Sequence, residues 1–101
     1  MVLYVAIALI LAALASGATI VDITGVPQTH FKPGDVIKIQ FEQPGVYHVR
    51  VVDLRSGATV LEQTFYVAIP GTYVLWPTTP QTAEGTYRVY ISTGQAVDIT
   101  I

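Results

Sequence analysis

The sequence predicts an all-β fold, a single small antiparallel β-sandwich, preceded by one N-terminal hydrophobic α-helix. Residues 1–15 (MVLYVAIALILAALA) are unbroken apolar sequence. From Thr19 onward apolar residues alternate with polar ones, which is the period of half-buried strands. Turn-forming residues then recur at roughly ten-residue intervals, as in small sandwich domains. The predicted division is therefore a hydrophobic helix over residues 1–18 and a β-domain over residues 19–101.

The N-terminal segment has no charged side chain before Asp22. As a helix, residues 1–18 would rise about 27 Å, close to the roughly 30 Å thickness of a bilayer's hydrocarbon core. The segment is apolar on every face, unlike a helix that lies on a globular core. Three interpretations remain open: an assembly helix packed against copies of itself, a cleaved secretory signal with small residues at Ala13 and Ala15, and a retained membrane anchor.

The alternating part of the chain predicts seven strands. The clearest alternation points Ile37, Ile39 and Phe41 to one side of a strand, with Lys38 and Gln40 on the other. Pairs such as Pro-Gly and Glu-Gly separate the strands and favour tight turns. The predicted strands are Thr19–Thr24 (with Val21 and Ile23 inward), Val36–Glu42, Val46–Asp53, Thr59–Val67, Thr72–Trp76, Thr86–Ile91 and Gln95–Ile101.

Two stretches, Pro70-Gly71-Thr72-Tyr73 and Glu84-Gly85-Thr86-Tyr87, resemble the turn-to-strand transitions of immunoglobulin-like and fibronectin-like domains. In such domains a Tyr near the start of a strand is often held by its hydroxyl. An apolar helix leading into one immunoglobulin-like domain is similar to archaeal type IV pilins and archaellins. That resemblance implies helices in a filament core, β-domains facing solvent, and a role in adhesion or motility outside the cell.

Composition argues against several functional classes. The net charge is −2 and only 12% of residues are charged, so no basic face is available for nucleic acid. Cysteine is absent, which removes disulfides, thiolate catalysis and Cys-based zinc sites. Asparagine is also absent and there is one Met. Depletion of such heat-labile residues is typical of thermophiles.

The remaining polar residues predict no catalytic or metal site. None of the three serines lies in a Gly-x-Ser-x-Gly motif, the context of a hydrolase nucleophile. His30 and His48 are 18 residues apart, without the spacing of a local metal-ligand pair. The aspartates form no calcium-binding loop. We therefore expect no enzymatic activity, no cofactor and no small-molecule substrate.

The candidate functional residues are assembly residues. Tyr4, Tyr66 and Tyr90 are candidate interface aromatics, because Tyr is enriched at protein interfaces, whereas Trp76 is predicted to pack in the core. Small and aliphatic side chains of the N-terminal segment are suited to close packing: Val2, Val5, Ala6, Ala8, Leu9, Ala12, Ala13 and Ala15. The expected partners are copies of this chain in a homopolymer, and the apolar segment is suited to membrane insertion before assembly.

An alternative function also fits the sequence. The chain would be a secreted or membrane-anchored immunoglobulin-like binding module of the cell envelope. A further variant is strand donation, in which residues 18–25 complete the sheet of a neighbouring copy by β-augmentation.

Overall fold

Two stacked antiparallel sheets make up the described part of the chain. A computed structural model describes residues 17–101. The three-stranded sheet has the order β1-β2-β5 and the four-stranded sheet the order β4-β3-β6-β7. The strands are β1 (Ala18–Val21), β2 (Val36–Phe41), β3 (Gly45–Asp53), β4 (Thr59–Val67), β5 (Gly71–Pro77), β6 (Thr86–Ile91) and β7 (Ala96–Thr100).

Alternate side chains of both sheets meet in one hydrophobic core. In β2, Ile37, Ile39 and Phe41 are buried, whereas Lys38 and Gln40 on the opposite face are half-buried. β6 repeats this alternation over its six residues. Burying a large aliphatic or aromatic side chain contributes about 1.5–3 kcal/mol. The apolar side chains that the period-2 pattern places between the sheets are therefore the main source of the fold's stability.

An aromatic cluster joins the two sheets. The ring of Phe41 stacks on that of Tyr47 with centroids 4.3 Å apart, and Phe65 and Tyr73 pack around it at 5.3 and 5.8 Å. Elsewhere in the core Trp76 meets Tyr87 edge to face at 5.1 Å. The predicted core packing of Trp76 is confirmed, since this side chain is half-buried against the core.

All seven predicted strand positions are confirmed, and β4 and β6 have the predicted limits. One inward position is wrong. Ile23 is 63% exposed because β1 ends at Val21. The carboxylate of Asp22 then accepts hydrogen bonds from the backbone N–H groups of Thr24 and Val26, at 2.8 and 3.1 Å. These bonds turn the chain away from the sheet.

The predicted fold class is wrong in its helical part. Ala18, the last residue of the predicted helix, lies in β1 opposite Phe41, and residues 17–101 contain no helix. Ala has a high helix propensity, but tertiary pairing overrides propensity. The rest of the predicted helix, residues 1–16, lies outside the described residues. The described chain is all-β.

The placement of β4 also departs from the constant-type immunoglobulin sandwich. In that sandwich the fourth strand joins the sheet of the first, second and fifth strands. Here β4 pairs with β3 over nearly its whole length, from Gly45 opposite Val67 to Val52 opposite Thr59. β4 is therefore an edge of the four-stranded sheet.

Three strands begin at the glycine of a Gly-x-Tyr sequence or directly after it. In each, the tyrosine hydroxyl donates to the backbone carbonyl four residues earlier. The three bonds run from Tyr47 to Gln43 (2.7 Å), from Tyr73 to Ile69 (2.8 Å) and from Tyr87 to Ala83. At Gly85, φ is +153°, which L side chains rarely adopt, and a Cβ would lie 3.0 Å from Arg55 Nε, so glycine is favoured. The expectation of held hydroxyls is confirmed for Tyr73 and Tyr87, and Tyr47 was not predicted.

Tyr87→Phe should lower the free energy of unfolding by about 1 kcal/mol, because the Ala83 carbonyl loses its hydrogen-bond donor. The matched control is Tyr66→Phe, since that side chain is 78% exposed and its substitution should be near neutral. Urea unfolding of the two variants measures the difference. Equal stabilities of the two variants would contradict a structural role for the Tyr87 hydroxyl.

Candidate assembly surface

The two ends of the sandwich differ in the length of their loops and in the number of charged residues that the loops carry. We call the end at which residue 18 enters β1 the proximal end; its loops are 42–44, 68–70 and 92–95. The distal end has the loops 22–35, 54–58 and 78–85. The proximal loops carry one charged residue among ten, Glu42, whereas the distal loops carry five among twenty-seven: Asp22, Lys32, Asp35, Arg55 and Glu84.

Exposed apolar side chains mark the proximal end. Tyr66 and Ile69 are the most exposed large apolar residues of the described chain, at 78% and 75%. Val46, 57% exposed, is the cross-strand partner of Tyr66. We call these three residues the proximal patch. The distal end also exposes three large apolar side chains, Ile23 among them, at 39% to 63%, in loops that carry charged residues. Exposed apolar patches on soluble domains often mark interaction surfaces.

The proximal loops are short and held by side chains. The carbonyl of Ile69 accepts the Tyr73 hydroxyl, and the carbonyl of Gln43 accepts the Tyr47 hydroxyl. Loops 42–44 and 68–70 each contain three residues between strands. Ile69 is thus displayed from a fixed backbone, which lowers the entropy lost when a partner covers it.

Gln95 ties the start of β1 to the opposite sheet. Its side-chain Oε1 accepts the N–H of Ala18 at 2.8 Å, and its Nε2 donates to the Ala18 carbonyl at 3.1 Å. The amide therefore satisfies both backbone groups of one residue, as a neighbouring strand would. The residues that precede β1 consequently join the domain at a point fixed to both sheets.

On the outer face of the four-stranded sheet, several polar side chains contact one another. His48 Nδ1 lies 2.7 Å from Thr64 Oγ1, and the His48 N–H donates to Ser92 Oγ at 3.0 Å. The guanidinium of Arg50 lies over the Tyr90 ring, 5.1 Å from its centroid. The Ser92 hydroxyl is thus hydrogen-bonded to a backbone N–H, and the His48 imidazole is hydrogen-bonded to the Thr64 hydroxyl. The Thr64–His48 contact places a hydroxyl beside an imidazole on an exposed sheet face.

Carboxylates at the distal end and on this outer face form local ion pairs and turns. The carboxylate of Asp98 accepts two hydrogen bonds from the Arg88 guanidinium, at 2.6 and 3.0 Å. The carboxylate of Asp53 accepts a hydrogen bond from the Arg55 guanidinium at 3.0 Å. The arginine hydrogen bonds lower the pKa of each of these carboxyls. The pKa of Asp22 is lowered mainly by the Thr24 hydroxyl and then by the Val26 amide. Within residues 17–101, no three His, Asp or Glu residues are grouped to hold a metal ion.

The predicted assembly residues fall into three groups. Val2, Tyr4, Val5, Ala6, Ala8, Leu9, Ala12, Ala13 and Ala15 lie outside the described residues. Tyr66 lies in the proximal patch. Tyr90 is not part of the proximal patch. It pairs with Arg50, which lies four residues further along β3 than Val46.

Residues 18–21 pair with β2 of the same chain. The first four residues of the segment predicted for strand donation, 18–25, are therefore already paired within their own sheet.

Comparison with protein-family models, with curated proteins and with solved structures finds no significant match to this chain. Across residues 17–101, no helix is long and apolar enough to cross a membrane.

Sequence reasoning missed Val46, Ile69 and Gln95. Ile69 stands in an Ala-Ile-Pro-Gly loop, where an aliphatic residue beside a turn is an unusual signal that could have been noticed. Gln95 had no such signal, because its partner Ala18 is 77 residues away.

Acid should destabilise the domain as Asp22, Asp53 and Asp98 become protonated. Their folded pKa values are lowered, so their stabilisation is present above the unfolded pKa, about 3.9, and is lost as pH falls through the folded values. Asp22→Asn should flatten part of this dependence, measured by urea unfolding between about pH 5 and pH 2. Parallel curves for the variant and the unmodified chain would contradict it.

Proposed function

We propose that the chain is the structural subunit of an extracellular, pilus-like surface filament. Copies of the apolar segment, residues 1–16, pack together, and the β-sandwich forms the outer wall used for adhesion or motility. The observation that carries this proposal is the polarity of the sandwich. Its proximal end, next to the apolar segment, exposes Tyr66 and Ile69 and has one charged loop residue, whereas five lie in the distal loops.

Apolar burial supplies the driving force for such an assembly. Each large aliphatic side chain removed from water contributes about 1.5–3 kcal/mol, and residues 1–15 are all apolar. The proximal patch extends the apolar surface onto the sandwich. A subunit whose apolar residues are concentrated toward one end is stable in water when that end is covered by other subunits.

The rest of the sandwich suits exposure to solvent. The outer face of the four-stranded sheet carries the Arg88–Asp98 pair and the Arg50–Tyr90 contact. Charges of both signs are interspersed there and at the distal end, which favours solubility. In a filament the outer wall is formed by the distal end and by the part of this face that lies beyond Val46 and Tyr66.

Ala12→Glu should abolish filaments while the β-sandwich stays folded, because a carboxylate within an apolar core is strongly disfavoured. Ala58→Glu is the matched control, since Ala58 is an exposed residue of a distal loop. Sedimentation and electron microscopy of sheared, detergent-free cell-surface material measure assembly, and circular dichroism measures folding. A normal filament yield from Ala12→Glu would overturn the proposal.

Ile69→Asp should reduce filament yield by weakening the contact of the proximal patch, whereas Ile23→Asp should not. The two isoleucines are similarly exposed, at 75% and 63%, but lie at opposite ends of the sandwich. Sedimentable material per cell is compared for the two variants. Equal yields would show that the proximal patch takes no part in assembly.

A further inference from the structure

The chain covers both sheet edges on one side of the sandwich. On β1, the carbonyl of Ile20 accepts the Gln28 N–H at 3.2 Å, and Gln95 pairs with Ala18. On β7, the N–H of Thr100 donates to the Thr29 carbonyl, and its carbonyl accepts the Phe31 N–H, both at 2.8 Å. Residues 26–31 therefore cross between the sheets and occupy backbone groups of both edges.

The β5 edge is blunted by other means. Prolines flank or end the strand at positions 70 and 77. An irregularity at Ile37/Lys38 interrupts its register with β2. Bulges, prolines and short strands are common devices that keep an edge from pairing with another chain.

β4 is an open edge. It has nine residues, no proline and one charged residue, Glu62. Its register with β3 shifts once, at Val51/Val52, and is unbroken from Leu61 to Val67. A long, regular edge strand with so little charge is a template for strand addition.

The backbone directions along β4 follow from those of β3. The Ser92 N–H donates to the His48 carbonyl at 3.0 Å, so His48 directs its backbone groups toward β6. Directions alternate along a strand, so Tyr47, Val49 and Val51 bond toward β4. Their partners on β4 are Phe65, Gln63 and Leu61. The intervening residues Glu62, Thr64 and Tyr66 consequently direct their N–H and C=O groups to the open edge.

We propose that β4 pairs with β4 of a second copy of this chain, antiparallel, about a two-fold axis at Thr64. Thr64 is the middle residue of the regular run 61–67. Thr64 then lies opposite the partner's Thr64, and Glu62 opposite the partner's Tyr66. Three hydrogen-bonded residue pairs with two bonds each add about six backbone hydrogen bonds. The two four-stranded sheets become one sheet of eight strands.

The chemistry of β4 fits its own copy. The two Glu62 carboxylates lie four residues apart along the pair, about 13 Å, so like charges are not opposed. Each Glu62 lies between Arg50 of its own sheet, its cross-strand partner, and the exposed Tyr66 ring of the other copy. The ring of Tyr66, which is 78% exposed in one copy, is thereby partly covered. The contact concerns the β-domain alone and does not depend on how residues 1–16 pack.

Cysteine crosslinking of the full chain tests this pairing, because the sequence contains no cysteine and any disulfide must join two chains. Thr64→Cys places the two residues about 5.5 Å apart between Cα atoms, within disulfide range. Thr59→Cys is the matched control on the same strand, with a Cα separation of about 33 Å from its counterpart. We expect disulfide dimers on non-reducing gels from Thr64→Cys and not from Thr59→Cys.

Equal crosslinking of the two variants would indicate parallel or random contacts and would overturn the proposal, as would no crosslinking of Thr64→Cys. Adding Glu62→Pro to Thr64→Cys removes an N–H from the open edge without removing a bond to β3. It should reduce the dimer about tenfold, the loss of roughly 1.4 kcal/mol, with an unchanged circular dichroism spectrum. An undiminished dimer would exclude backbone pairing. Sedimentation of the reduced Thr64→Cys chain reports filament assembly separately, so either proposal can fail without the other.

Discussion

The hydroxyl groups of three tyrosines hold the turns on which both sheets depend. Tyr47, Tyr73 and Tyr87 each bond the carbonyl four residues earlier, and their rings pack in or against the core. One side chain therefore fills the core and satisfies a turn carbonyl, which uses both the apolar body and the polar tip of tyrosine. Because ring packing and loop position are coupled in this way, a loop cannot shift without disturbing the core.

This coupling gives the proximal end its rigidity. Two of the three tyrosine bonds lie there, and the Gln95 amide fixes Ala18 to the second sheet at the same end. Within the described residues, Ala18 is therefore held by both sheets at the point where β1 begins.

The alternation of apolar and polar residues predicted where the strands lie but not which strands pair with each other. Alternation identified β2 and β6 because burial on one face is a property of a few successive residues. Ile23 continues the alternation of β1 but lies past its end, since the Asp22 carboxylate turns the chain. Tyr66 and Tyr90 both appeared as candidate interface residues, yet only the strand register shows that Tyr90 lies under Arg50. Ile69 and Val46 belong to the candidate surface through topology, which joins loops distant in sequence, and no local signal carries that information.

The open β4 edge is compatible with a well-behaved subunit because a two-fold contact is self-limiting. Pairing β4 with β4 uses the same edge on both copies, so the interface closes and leaves no free β4 edge for a third chain. The β1 and β7 edges are already occupied by residues 26–31 and Gln95. One strand pair is small beside the roughly 1,600 Å² of a standard stable interface, so the contact is weak between free subunits. A weak pairing is populated by mass action as the protein concentration rises, so it needs no second contact between the subunits.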